Sequence, residues 1–124
     1  MINNSKTKDE KTKCDEIRDW IRNCDINNPH HQKALHRGLL IVYRNQTPQE
    51  RAWQATVKHN QKGFNSRDAS FGSWIAERAL EVEAGVSPYP SLSPKMYSAL
   101  VRILPKYARQ ILIHRQQSKT ANQT

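Results

Sequence analysis

The chain has 124 residues, the length of one ordinary domain, and only 36% of them are apolar, so any core must be small. Twenty Lys and Arg against eleven Asp and Glu leave a net charge of +9, a balance that favours polyanionic partners. No apolar run approaches the ~18 residues of a membrane span. The first dozen residues lack the apolar stretch of a signal peptide, and two cysteines cannot make a disulfide framework. A basic protein of the cytoplasm, with no membrane association, is the expectation.

Polar residues at both ends predict a flexible basic arm over residues 1–12, a single helical domain over 13–117 and a flexible tail over 118–124. Ile17, Trp20, Ile21 and Cys24 recur at helical spacing and predict a first helix over about residues 13–24. Asn28-Pro29 supplies an N-cap and a first-turn proline for a second helix reaching about Arg44, with Leu35, Leu39 and Val42 inward. Thr47-Pro48-Gln49-Glu50 has the form of a capping box and opens a third helix that carries Trp53 and Val57. The fourth begins after Asn65 or Ser66, with Asp68 in its first turn and Phe71, Trp74, Ile75, Ala79 and Val82 as its apolar stripe, and Gly85 ends it.

Ser93-Pro94 opens the last helix with the same cap-plus-proline chemistry. At 100° per residue, Tyr97, Leu100, Val101, Leu104, Ala108, Ile111 and Leu112 gather on one side. Pro105 removes one backbone hydrogen bond, which predicts a kink because the apolar stripe stays in phase across it. The expected fold is therefore all-α: a small single-domain bundle of four to six helices with a kinked basic C-terminal helix. Its expected core draws on Trp20, Leu39, Trp53, Phe71, Trp74 and Ile75, joined by Tyr97, Val101, Leu104 and Ile111.

Charge is segregated along this framework. Residues 31–67 hold seven basic groups against Glu50 alone, residues 68–93 hold four acids against Arg78, and residues 94–124 hold six basic groups and no acid. Lys95, Arg102, Lys106 and Arg109 fall together on the polar side of the last helix. Ordinary solvated faces mix signs, so four cations on one side are a candidate surface for a phosphate backbone. The middle block is a second candidate: Arg51, Lys58 and Lys62 with Lys33, Arg37, Arg44 and Arg67, interleaved with Tyr43, Trp53 and Phe64. Tyr43 and Trp53 read as core. Phe64, in a loop, is a candidate for stacking on a base, although a loop Phe more often plugs the side of a core. The stretch Lys62-Gly63-Phe64-Asn65 with Asp68 has the parts of an anion site at a helix N-terminus, but the same residues serve equally as helix caps, the favoured reading.

Chemistry beyond binding finds no support. His30, His31, His36, Cys14 and Cys24 show none of the spacings of a metal site, and four glycines supply neither a P-loop nor a dinucleotide fingerprint. No Ser or Cys has a recognisable basic partner. No cofactor, no metal and no catalytic residue is expected, and binding rather than catalysis is the default.

Across the stretch from Tyr43 to Ile111 a pattern stands out: Tyr43, Gln46-Thr47 with Glu50, Gly63-Phe64-Asn65 with Asp68-Ala69, Leu92-Ser93-Pro94-Lys95, and Lys106-Tyr107-Ala108-Arg109-Gln110. In order and spacing it resembles a family of small proteins carried by phages and plasmids. The chain differs in an added N-terminal helix and in Ile111 where leucine is usual. The resemblance implies a setting beside the DNA-processing proteins of mobile elements and assigns no catalytic residue. Together with the charge, it leads to the expectation of a nucleic-acid-binding accessory protein, its partner DNA or RNA. The alternative is a mobile-element inhibitor or adaptor, anti-CRISPR-like, that binds a host protein or a ribonucleoprotein defence complex.

Overall fold

A computed structural model describes residues 2–46 and 63–122. Among them the order is α1 (Ile2–Asn23), α2 (Pro29–Asn45), α3 (Ala69–Glu83), α4 (Pro94–Ile103), a 3₁₀ turn (Leu104–Tyr107) and α5 (Ala108–Asn122), with no strand. The fold is a small all-α domain. The helix expected from Thr47, with Trp53 and Val57, lies outside the described residues.

Several helix ends follow the local chemistry of the sequence. Asn28 Oδ1 accepts the His30 and His31 N–H groups at 2.9 and 3.4 Å, and Pro29 takes the first helical position of α2. Ser93 Oγ accepts the Met96 N–H at 3.2 Å and caps α4 in the same way. Gly85, at φ +74°, reverses the chain after α3, and the Val86 N–H returns to the Glu81 carbonyl. The turn between α1 and α2 is tied by His31 Nδ1, which accepts the Asp25 N–H at 2.8 Å while its ring meets Trp20 at 5.0 Å.

Other boundaries differ from expectation. α1 starts at Ile2 rather than near residue 13, and α5 runs to Asn122, so neither the arm nor the tail stands apart from a helix. Both segments lack Gly and Pro and contain good helix formers, so a helix nucleated inside the domain can propagate outward through them. α3 begins at Ala69, after a turn in which Asn65 Oδ1 and its carbonyl both accept the Asp68 N–H. The last segment is two α-helices separated by the 3₁₀ turn, rather than one kinked helix. Pro105, without an N–H, occupies that turn and removes the α-helical bond that would have joined them.

α2 packs against α3, α4, α5 and the 3₁₀ turn, and α1 lies across α5 and that turn. Leu35, Leu39 and Val42 of α2 meet Leu100, Leu104 and Ile111 in the core. Gly38 permits close approach there, since a Cβ would come 3.2 Å from Ile111 Cδ1.

Of the expected core, Leu39, Ile75, Tyr97, Leu104 and Ile111 are buried and Val101 is partly buried, packed against it. Trp20, Phe71 and Trp74 are not in it; they are 42%, 47% and 40% exposed. α3 turns Gly72, Ser73, Ala76 and Ala79 inward beside Ile75. Small residues let the helix sit close to its neighbours, and the bulky rings are left on its outer side. Phe71 and Trp74 stack on each other there, with Arg78 over the Trp74 ring.

Candidate nucleic-acid interface

The four cations of the C-terminal segment are all exposed, but they stand on three different elements. Lys95 and Arg102 lie on α4, seven residues apart and so on one face, opposite buried Tyr97 and Leu100. Lys106 belongs to the 3₁₀ turn and Arg109 to α5.

The expected freedom from acids does not hold for two of them. Lys106 Nζ lies 2.7 Å from Asp68 Oδ2, and Arg109 Nε lies 3.9 Å from Glu10 Oε1. Both carboxylates come from distant parts of the sequence, Asp68 from the turn before α3 and Glu10 from α1. Among the described residues Lys95 and Arg102 have no carboxylate within ion-pair distance.

In the middle block, Lys33, Arg37 and Arg44 are exposed on α2, and Arg67 is exposed before α3. Arg51, Lys58 and Lys62 lie outside the described residues. Phe64 is corrected as a stacking candidate: it is 1% exposed, its ring meets Tyr107 edge-on at 5.6 Å, and Gly72 lies against its outer edge. Tyr43 is partly buried against the core.

Around Phe64 a partly buried polar network joins segments whose pattern carried the resemblance. Gly63 donates to Gln110 Oε1 at 2.9 Å, and Gln110 Nε2 donates to the Gly63 carbonyl at 3.1 Å. Asn45 Nδ2 donates to the same Gln110 oxygen at 2.9 Å. The Asn65 N–H donates to the Tyr107 hydroxyl at 3.0 Å, and that hydroxyl donates to Asp68 Oδ2 at 2.7 Å. Gly63 is required for this geometry: its φ is +79°, and a Cβ would collide with Gln46. Ser73 donates to Gln46 Oε1 at 3.3 Å, with both residues buried.

Burial is the main reason the Tyr107 phenol is pushed far above its ordinary pKa; the Asn65 N–H pulls it down and the Asp68 carboxylate pushes it up. A phenol locked in its protonated form keeps donating to Asp68. The groups read from sequence as helix caps therefore fasten the 63–68 loop onto the 3₁₀ turn and α5. Asp68 is spent on Tyr107 and Lys106 and offers no anion site. Sequence reasoning missed the network, although its members Gln46, Gly63, Asn65, Asp68, Tyr107 and Gln110 were visible as a spaced pattern of polar and aromatic residues.

A second internal polar contact joins α2 to α4. His36 Nε2 lies 3.0 Å from the Tyr97 hydroxyl, which accepts the Leu92 N–H at 3.3 Å. Burial lowers the His36 pKa from its ordinary 6.5, with the Glu83 charge pulling the other way. His30 is exposed and His31 ties a turn; among the described residues no three His, Cys, Asp or Glu side chains are grouped to hold a metal ion. No helix among them is long and apolar enough to cross a membrane.

No family model, no curated protein and no solved structure matches the chain.

Proposed function

We propose that this protein binds nucleic acid through the phosphate backbone, as an accessory protein of a phage or other mobile element. The observation that carries the reading is the pair of exposed cations on α4, Lys95 and Arg102. They lie within a stretch, residues 94–124, of six basic groups and no acid. Arg109, 74% exposed on α5, adds a third cation, and its loose contact with Glu10 is easily exchanged for a phosphate. Lys106 contributes less, because contact with a phosphate would compete with Asp68. Contacts of this kind position a protein without reading bases. The mobile-element setting rests on the resemblance across residues 43–111.

Replacing Arg102 with Ala tests this directly. Binding should weaken evenly across unrelated sequences, and the slope of log affinity against log salt should fall by about one unit. Loss confined to one sequence would mean base readout instead.

A second reading, an inhibitor or adaptor seated on a host protein or ribonucleoprotein complex, is favoured by the exposed Phe71–Trp74 stack with Arg78. Trp and Arg dominate the energetics of protein interfaces. On that reading Trp74→Ala abolishes association with the assembly and leaves binding to free nucleic acid unchanged.

A further inference from the structure

We propose that the outward face of α2, carrying Lys33, Arg37 and Arg44, is a second phosphate-backbone contact, and that it takes duplex rather than single-stranded nucleic acid. The inference rests on the nucleic-acid reading above and adds the surface and the form of the partner.

Within α2 the three cations lie within about 40° of one another around the axis and span about 16 Å along it. All three are exposed, while Leu35, Leu39 and Val42 on the other side are at most 1% exposed. The core therefore fixes the direction of the charged stripe, and α2 packs against most of the other elements, so the stripe sits on a firmly held helix. A duplex carries a negative charge about every 1.7 Å of its axis, so a straight stripe of this length faces several phosphates at once.

Stability does not explain the stripe. The 17 residues of α2 include no Asp or Glu. Lys33 and Arg37, four apart, are a like-charge pair, which mildly destabilises a helix. Two arginines on other helices do have an acid beside them: Arg18 meets Asp15 at 2.9 Å in α1, and Arg78 meets Glu81 at 2.7 Å in α3. Among the described residues no carboxylate lies within 4.0 Å of Lys33, Arg37 or Arg44. The stripe is thus a cost to the free protein that a polyanion relieves.

The choice of duplex follows from what the face lacks. Single-strand binders pair a basic groove with exposed rings on which bases stack. The aromatic ring of α2, Tyr43, packs against the core. Of the exposed rings, Trp20 meets His31 on the opposite side of α2 from the stripe, Phe71 and Trp74 stand on α3, and Tyr89 lies between α3 and α4.

The test compares the full chain with two triple variants that each remove three positive charges. One is Lys33→Gln, Arg37→Gln and Arg44→Gln; the other is Lys11→Gln, Lys13→Gln and Arg22→Gln, three exposed cations of α1 that form no single stripe. Each is titrated against a labelled mixed-sequence duplex, and against one of its strands, between about 50 and 200 mM salt. The α2 variant should lose about 2.7 units of salt slope, so that its weakening over this range shrinks about forty-fold, while the α1 variant keeps the wild-type slope. Its melting temperature should equal or exceed that of the wild type, and Arg37→Lys with Arg44→Lys should keep the wild-type slope. Wild-type binding with an unchanged slope in the α2 variant, or equal losses in both variants, overturns the α2 contact and leaves the nucleic-acid reading standing. Preference for the single strand overturns the duplex assignment. No wild-type binding at the lowest salt overturns both.

Discussion

Tyr107→Phe isolates the hydroxyl at the buried centre of the polar network around Phe64. The substitution keeps the ring against Phe64 and removes one oxygen, which accepts the Asn65 N–H and donates to Asp68 Oδ2 at 2.7 Å. Loss of a hydrogen bond to a buried carboxylate costs about 1.5–3 kcal/mol, and loss of the acceptor for the Asn65 N–H adds about 0.5–1.5 kcal/mol. Asp68 keeps its contact with Lys106, so the lower half of the combined range applies, about 2–3 kcal/mol. For a domain of this size that lowers the melting temperature by roughly 10 °C. Lys106→Gln removes the other partner of Asp68, but the Lys106 side chain is 47% exposed, and screening by solvent holds the cost to about 1 kcal/mol or less. Urea unfolding followed by far-UV circular dichroism measures both. A loss below about 0.5 kcal/mol for Tyr107→Phe, or a larger loss for Lys106→Gln, would show that the hydroxyl does not hold the loop.

Gly72→Ala should destabilise the fold by about 1 kcal/mol although alanine is the better helix former, because the new methyl meets the Phe64 ring at 2.7–2.9 Å. Chemical denaturation of Gly72→Ala, alone and with Phe64→Leu, checks this; the second change should recover part of the loss. His36 gives stability a pH dependence. Its pKa is lowered on folding, so the unfolded chain binds the proton more tightly, and stability that is full above pH 6.5 declines as pH falls below that value. Denaturation midpoints between about pH 8 and about pH 5.5 should fall more in the wild type than in His36→Gln; equal declines would assign the effect to other groups.

The sequence carries helix starts and stops well where one side chain acts on its own backbone. Asn28-Pro29, Ser93-Pro94 and Gly85 each do so, and each stands where the local chemistry puts it. The stripe from Tyr97 to Leu112 is legible for a similar reason, since one helical period orders it on both sides of Pro105. α3 is misread because hydrophobicity ranks Phe71 and Trp74 above Gly72, Ser73 and Ala76, while packing selects the small residues for the inner face. The face of four unopposed cations is half dissolved by Asp68 and Glu10, and counting charges within a segment cannot see partners contributed by another. The network of Gly63, Asn65, Asp68, Tyr107 and Gln110 is hidden in the same way. Its partners are separated by up to 47 positions, and only tertiary structure pairs them.

Phosphate-backbone binding is read most directly by fluorescence anisotropy of a labelled duplex titrated with the wild type and with Arg102→Ala/Arg109→Ala, between about 50 and 200 mM salt. Phosphate contacts by these arginines should give wild-type binding that weakens steeply with salt, and a double variant whose log–log slope is shallower by about 1.8. Absence of wild-type binding at the lowest salt, or a double variant with the wild-type affinity and slope, would contradict these contacts.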